Sequence, residues 1–131
     1  MREIKFRAWD GERIRYDVTG FEHGVKNEMA GIFLDGDYWS LDQESFTSKV
    51  HERHAIAMQY TGLKDCNGLE IYEGDVIDSK YKYKVFWHRD SWKIKANHGT
   101  MLGLSAFLAL REKAKCPVEI IGNIYENPEV K

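Results

Sequence analysis

The stretch Met58–Ile77, MQYTGLKDCNGLEIYEGDVI, alternates, turns, alternates and turns again. Side chains along a strand point to opposite faces in succession. Ile56, Met58 and Tyr60 against Ala57, Gln59 and Thr61 therefore read as one half-buried strand. Asp65-Cys66-Asn67-Gly68 is a turn by composition, because Asn and Gly accept the positive φ angles of a tight reversal. Leu69–Tyr72 is short and extended, and Glu73-Gly74-Asp75 re-aims the chain into Val76-Ile77, as a corner between strands of a small barrel requires. The pattern has an echo in VEIIGNIYENPEV, Val118–Val130.

Upstream, Arg2–Val18 reads as a hairpin about Asp10-Gly11. Ile4, Phe6 and Ala8 share a face opposite Lys5, Arg7 and Trp9, and Ile14, Tyr16 and Val18 share a face opposite Arg13 and Arg15. Gly31–Leu41 reads as a second hairpin about Asp35-Gly36, and Asp42–His54 is polar without a usable period. Downstream, Lys80–Ala96 is a strongly sided hairpin turning at Arg89-Asp90-Ser91. Tyr81, Tyr83, Val85 and Trp87 fall on one face and Lys80, Lys82, Lys84, Phe86 and His88 on the other. One helix is expected near 105–115. Ser105 serves as N-cap, Phe107, Leu108 and Ala114 make a stripe, and Arg111, Lys113 and Lys115 stand where cations suit the helix dipole. Pro117 ends it, and Val118–Tyr125 resumes as a strand. The expected fold is mainly β: an SH3-like small barrel over about 55–127, a strand-rich part over 1–54, and one short helix.

The 131 residues suit a single domain-sized unit. A net charge of -2 excludes bulk attraction to nucleic acid or membrane as the organising force. Residues 1–65 carry nine Lys/Arg against twelve Asp/Glu and residues 66–131 carry ten against nine, so any basic surface is local. Cys66 and Cys116 stand fifty residues apart with no metal-type spacing, and free thiols in a reducing cytoplasm are the expected state. No apolar run approaches a membrane span.

Three blocks resemble the YopX family of bacteriophage and prophage proteins. They are Arg2-Glu3-Ile4-Lys5-Phe6-Arg7-Ala8-Trp9-Asp10, the Met58–Ile77 block, and Ile121-Gly122-Asn123-Ile124-Tyr125-Glu126-Asn127-Pro128, in that order. The resemblance implies a mainly β fold containing an SH3-like small barrel and a phage or prophage origin. It brings no catalytic residues with it. Cys66 stands in a turn where the family more often has a charged or polar residue, so no role passes to that thiol.

Candidate chemistry is sparse. His51-Glu52-Arg53-His54 spaces its histidines i, i+3, whereas the zinc-protease pattern needs i, i+4 with a third ligand. Asp35, Asp37, Asp75 and Asp78 are the acids from which a metal-dependent hydrolase would be built, although each also suits a turn or corner. His88-Arg89-Asp90 lacks the companion motifs of a kinase. No cofactor motif occurs.

The Lys80–Lys95 hairpin is the best functional candidate. Lys80, Lys82, Lys84, Arg89, Lys93 and Lys95 interleave with aromatic rings, a pattern in which cations meet phosphates and rings stack on unpaired bases. The plainer reading is that lysines on an outer strand face prevent edge-to-edge aggregation. Phe86 discriminates, since an exposed ring among the lysines would call for a partner. The expectation is a cytoplasmic, non-catalytic binding or assembly module that engages a protein partner or its own copies. Nucleic-acid binding through this hairpin is the alternative and metal-dependent hydrolysis a distant one.

Overall fold

The alternating segments do pair as strands, in two groups. The computed structural model describes residues 4–23, 29–41, 54–78, 81–96, 98–115 and 117–126. It divides into Lys5–Gln59 and a C-terminal unit, Tyr60–Lys131 together with Met1–Ile4. The protein is mainly β.

In the N-terminal unit β1 (Phe6–Trp9), β2 (Ile14–Arg15), β3 (Val18–His23), β4 (Met29–Leu34), β5 (Asp37–Leu41) and the start of β6 (His54–Lys64) form a sheet in the order β2-β1-β6-β5-β4-β3. The β5–β6 pair is parallel, at Ser40↔His54 and Leu41↔Ala55. Both expected hairpins are present. At the first, the Asp10 Oδ1 accepts the Glu12 and Arg13 amides, each at 2.8 Å. At the second, Asp35 (φ 50) and Gly36 (φ 83) supply the consecutive positive φ values of a two-residue reversal. Ala8, Ile32, Leu34, Leu41 and Ala55 form the buried centre, with Val18, Phe21, Trp39 and Ala57 against them. Phe6 meets Phe21 edge to face at 4.9 Å.

Burial here does not follow residue polarity: Arg7 is 4% exposed and Tyr16 63% exposed. The two side chains meet, with Arg7 Nη1 donating to the Tyr16 hydroxyl at 3.4 Å. Alternation says which residues share a face; what lies against that face is a tertiary matter.

In the C-terminal unit the remainder of β6 pairs with β7 (Glu70–Tyr72). Then follow β8 (Asp75–Ile77), β9 (Tyr83–His88), β10 (Ser91–Lys95), β11 (Met101–Gly103), α1 (Leu104–Lys113) and β12 (Ile120–Asn123). The sheet order is β11-β10-β9-β8-β12, with every neighbouring pair antiparallel. Among the described residues it is open, with β11 and β12 at its two edges and no closure into the expected SH3-like barrel. The three-residue β11 passes straight into α1, which packs on β10 and β11. Ile71, Ile77, Val85, Ile94 and Leu104 are sealed in the core, where Tyr83 and Phe107 meet at 5.0 Å. Each such aliphatic side chain contributes about 1.5–3 kcal/mol by leaving water.

The helix begins at Leu104 with Gly103 as N-cap, so the expected Ser105 cap is instead a first-turn residue and no side chain caps that end. Leu104 and Phe107 are buried, Leu108 partly so, and Ala114 is exposed rather than part of the stripe. The helix ends as Lys115 turns left-handed (φ 59), its N–H donating to the Glu112 carbonyl at 3.0 Å. Among the described residues no helix is long and apolar enough to cross a membrane.

The residues that made Met58–Ile77 and its C-terminal echo distinctive hold corners together. Asp65, 7% exposed, accepts the amides of Asn67 and Leu69 on Oδ1, both at 2.9 Å, and that of Ile120 on Oδ2 at 3.1 Å. Asp75 Oδ2 accepts the Tyr72 amide at 2.8 Å. Gly74 (φ 88) donates to the Val85 carbonyl and accepts from the Ile124 amide, both at 2.9 Å. Asn123 Oδ1 accepts the Tyr125 and Glu126 amides at 3.0 and 2.8 Å. A buried carboxylate receiving several backbone N–H groups satisfies itself and its donors together.

Candidate functional site

The β9–β10 hairpin is built by strict register. Lys93 lies opposite Phe86, Lys95 opposite Lys84 and Ser91 opposite His88, so these six side chains share one face. On that face the Lys84 Nζ stands 6.0 Å from the Phe86 ring centre, and Phe86 and His88 lie 5.9 Å apart. Phe86 is half-buried, as are Lys84 and Lys93, while Lys95 is exposed. Long lysine stems cover an aromatic ring while their charged heads reach water. Phe86 is therefore not a fully exposed ring.

Of the other residues singled out from the sequence, Lys82 and Arg89 are exposed and sit outside this row. Both hold positive φ, 52 and 61, at the start of β9 and in the hairpin turn. Lys80 lies outside the described residues. The structure brings together Lys84, Phe86, Lys93 and Lys95, and does not place Lys82 or Arg89 in that row.

The opposite face holds a feature that alternation conceals. Tyr83, Val85 and Trp92 are buried, but Trp87 is 45% exposed. Its ring stands edge to face with Trp92, centres 5.0 Å apart and planes at 73°. Beside the pair opens a cleft of about 300 Å³ lined by Thr61, Gly62, Leu63, Asp90, Ser91 and Ser105 as well as the two indoles. The Thr61 hydroxyl is already used, donating to the Ile71 carbonyl at 2.7 Å and accepting the Leu63 amide at 3.1 Å. The Trp92 indole N–H is buried and has no acceptor among the described residues. Leaving such a donor unmatched costs about 1–3 kcal/mol. The signal in the sequence was Trp87 at the last position on its face of β9 before the turn, where the core side of the hairpin runs out.

A second cleft, about 470 Å³, lies beside Leu108, Val118, Lys64, Arg111 and Cys66. Arg111 is committed there: Nη2 meets Asp78 Oδ2 at 3.0 Å, and its guanidinium lies 4.7 Å from the Phe107 ring centre. The Cys66 thiol is exposed and free, yet partial desolvation and then the carboxylates of Glu119 and Asp65 push its pKa up. That is the opposite of an activated thiolate.

The acids proposed for metal chemistry have other employment. Asp35 belongs to the β4–β5 turn and Asp37 begins β5; Asp75 and Asp78 are engaged as described. Among the described residues no group of three or more His, Cys, Asp or Glu is placed to hold a metal ion. His51, Glu52, Arg53 and Cys116 lie outside the described residues. In the N-terminal unit, burial pushes the Asp10 carboxyl up, but the Arg13 and Glu12 amides and Arg15 outweigh it and lower its pKa. The Arg15 hydrogen bond holds Asp17 low, and Arg15 is raised in turn. This is a structural ion cluster at the hairpin base.

Fold and site together define a strand-rich protein of two units whose signature acids serve the backbone and whose C-terminal hairpin presents cations on one side and an indole cleft on the other. A family model described as YopX protein matches residues 5–130. The chain belongs to the YopX family. The crystal structure of protein EF1440 from Enterococcus faecalis is similar to it, with 30% sequence identity, a TM-score of 0.59 and 98% of each chain covered. No curated protein matches the chain.

Proposed function

We propose that this protein is a phage or prophage accessory protein that works in the bacterial host cytoplasm as a non-catalytic binding module, docking a protein partner or a second copy of itself. In this reading the C-terminal unit is an opened relative of the SH3-like small barrels. The observation that carries the proposal is Trp87, a large indole left 45% exposed at the edge of a core that seals its neighbours. Aromatic side chains with polar tips are enriched at the centres of protein interfaces. Met101 and Leu102, 43% and 39% exposed on the edge strand β11, add apolar surface in the same unit. The test replaces Leu102 or Trp87 with a photo-crosslinking phenylalanine analogue in host cells and measures mass by light scattering across concentration. A discrete adduct, or a mass that rises with concentration, supports the proposal; neither adduct nor rise overturns it.

Nucleic-acid binding is the second reading, favoured by Lys84, Lys93 and Lys95 sharing a face with Phe86. It ranks lower because Phe86 is half-buried among those lysines and offers less ring for stacking. It requires retention on a DNA or RNA matrix that falls steeply with salt and with Lys84→Glu/Lys93→Glu. Retention indifferent to both removes it.

A further inference from the structure

We propose that the cleft beside Trp87, Asp90 and Trp92 is a recognition pocket for a cationic side chain, arginine above all, presented by an extended segment of a protein partner. The inference deepens the binding-module reading and rests on it. Among the described residues lining the cleft, Asp90 is the one ionisable side chain, and it sets a negative charge beside two indoles. A cation is drawn to the face of an indole and to a carboxylate alike, and the planar guanidinium stacks on a ring better than an ammonium does.

The same lining argues against other occupants. A phosphate or other anion meets Asp90 as a like charge. A wholly apolar group makes no use of the Asp90 carboxylate. A peptide arginine supplies the cation for Asp90 and a planar face for the indoles. At about 300 Å³ the cleft sits at the lower limit of pockets for drug-sized molecules, roughly 300–1,000 Å³. That scale suits one long side chain and a short run of backbone.

The test uses the full chain labelled with 15N and the peptide acetyl-Ala-Ala-Arg-Ala-Ala-amide. The four tryptophans give four indole N–H resonances, assigned by Trp→Phe variants. Saturable shifts are expected at Trp87 and Trp92 and not at Trp9 or Trp39. Binding should weaken at least fivefold when citrulline replaces the arginine and vanish when glutamate does. Trp87→Ala and Asp90→Asn should each weaken it at least fivefold without altering the thermal midpoint by more than a few degrees, and Trp87→Phe should retain most of it. Equal shifts with arginine and citrulline, no shift at Trp87, or stronger shifts with the oligonucleotide (dT)6 overturn the proposal. A photo-crosslinked partner whose capture ignores Trp87→Ala and Asp90→Asn defeats the pocket and leaves the binding-module reading standing. Arginine binding at Trp87 in a protein that forms neither adducts nor oligomers in cells defeats the module and leaves the pocket's chemistry standing.

Discussion

Replacing Asp65 with alanine strips three backbone amides of their acceptor at once. The two turn amides, Asn67 and Leu69, belong to exposed residues, so water takes over part of the lost bond, and about 1 kcal/mol each is a fair charge. The Ile120 amide is half-buried and ties the turn to β12 across the unit, so its loss costs about 2 kcal/mol. The sum is about 4 kcal/mol, a large part of the 5–15 kcal/mol that holds a typical domain. Asp65→Asn separates the contributions. Its carbonyl oxygen keeps the Oδ1 partners, but its amide group faces the Ile120 N–H donor to donor, so about 2 kcal/mol should be lost. Urea unfolding followed by circular dichroism and tryptophan fluorescence measures both, with coincident transitions and an unchanged m-value as the check on two-state behaviour. A loss below 1 kcal/mol for the alanine variant, or an asparagine variant as stable as the parent, would refute the claim that this acid clamps the corner.

Further outcomes follow from the same structure. Lys115→Gly relieves a left-handed backbone at the helix end (φ 59) and should raise stability by about 1 kcal/mol in the same unfolding assay. Asp10 and Asp17 have lowered folded pKa values, so the stability they lend is complete above the ordinary carboxylate value and is lost as pH falls through the folded one. Asp17→Asn should flatten the thermal midpoint's fall below about pH 4, modestly because the carboxylate is 38% exposed and solvent-screened. In a Cys116→Ser background, Cys66 should react with iodoacetamide more slowly at pH 7 than a free model thiol, with the rate climbing only at clearly alkaline pH.

The alternation from Ile56 to Thr61 became the centre of β6, and both Asp-Gly signals marked real reversals, because strand period and turn chemistry are local properties. The three-residue β11 escaped notice: Met101-Leu102-Gly103 is too short to show a period, and pairing with β10 makes it a strand. The helix cap moved by two residues, from Ser105 to Gly103, for a related reason, since β11 delivers the chain at Gly103 and leaves Ser105 nothing to cap. Of the candidate site, the lysine row with Phe86 was legible from the same alternation. The indole cleft was not, because its lining comes from β6, the β9–β10 hairpin and α1, which are distant along the chain.

From the sequence alone came the strand-rich class, the YopX signature blocks and the sidedness of the 80–95 hairpin, all carried by neighbours within a few residues of one another. The folded chain alone decided that the sheets stay open, that β5 and β6 run parallel, that Arg7 is buried while Tyr16 is not, and that Trp87 remains half in water. Those are properties of which surface meets which. Pairing and burial depend on residues distant along the chain, and the free energy that selects them is shared among surfaces that no local window contains.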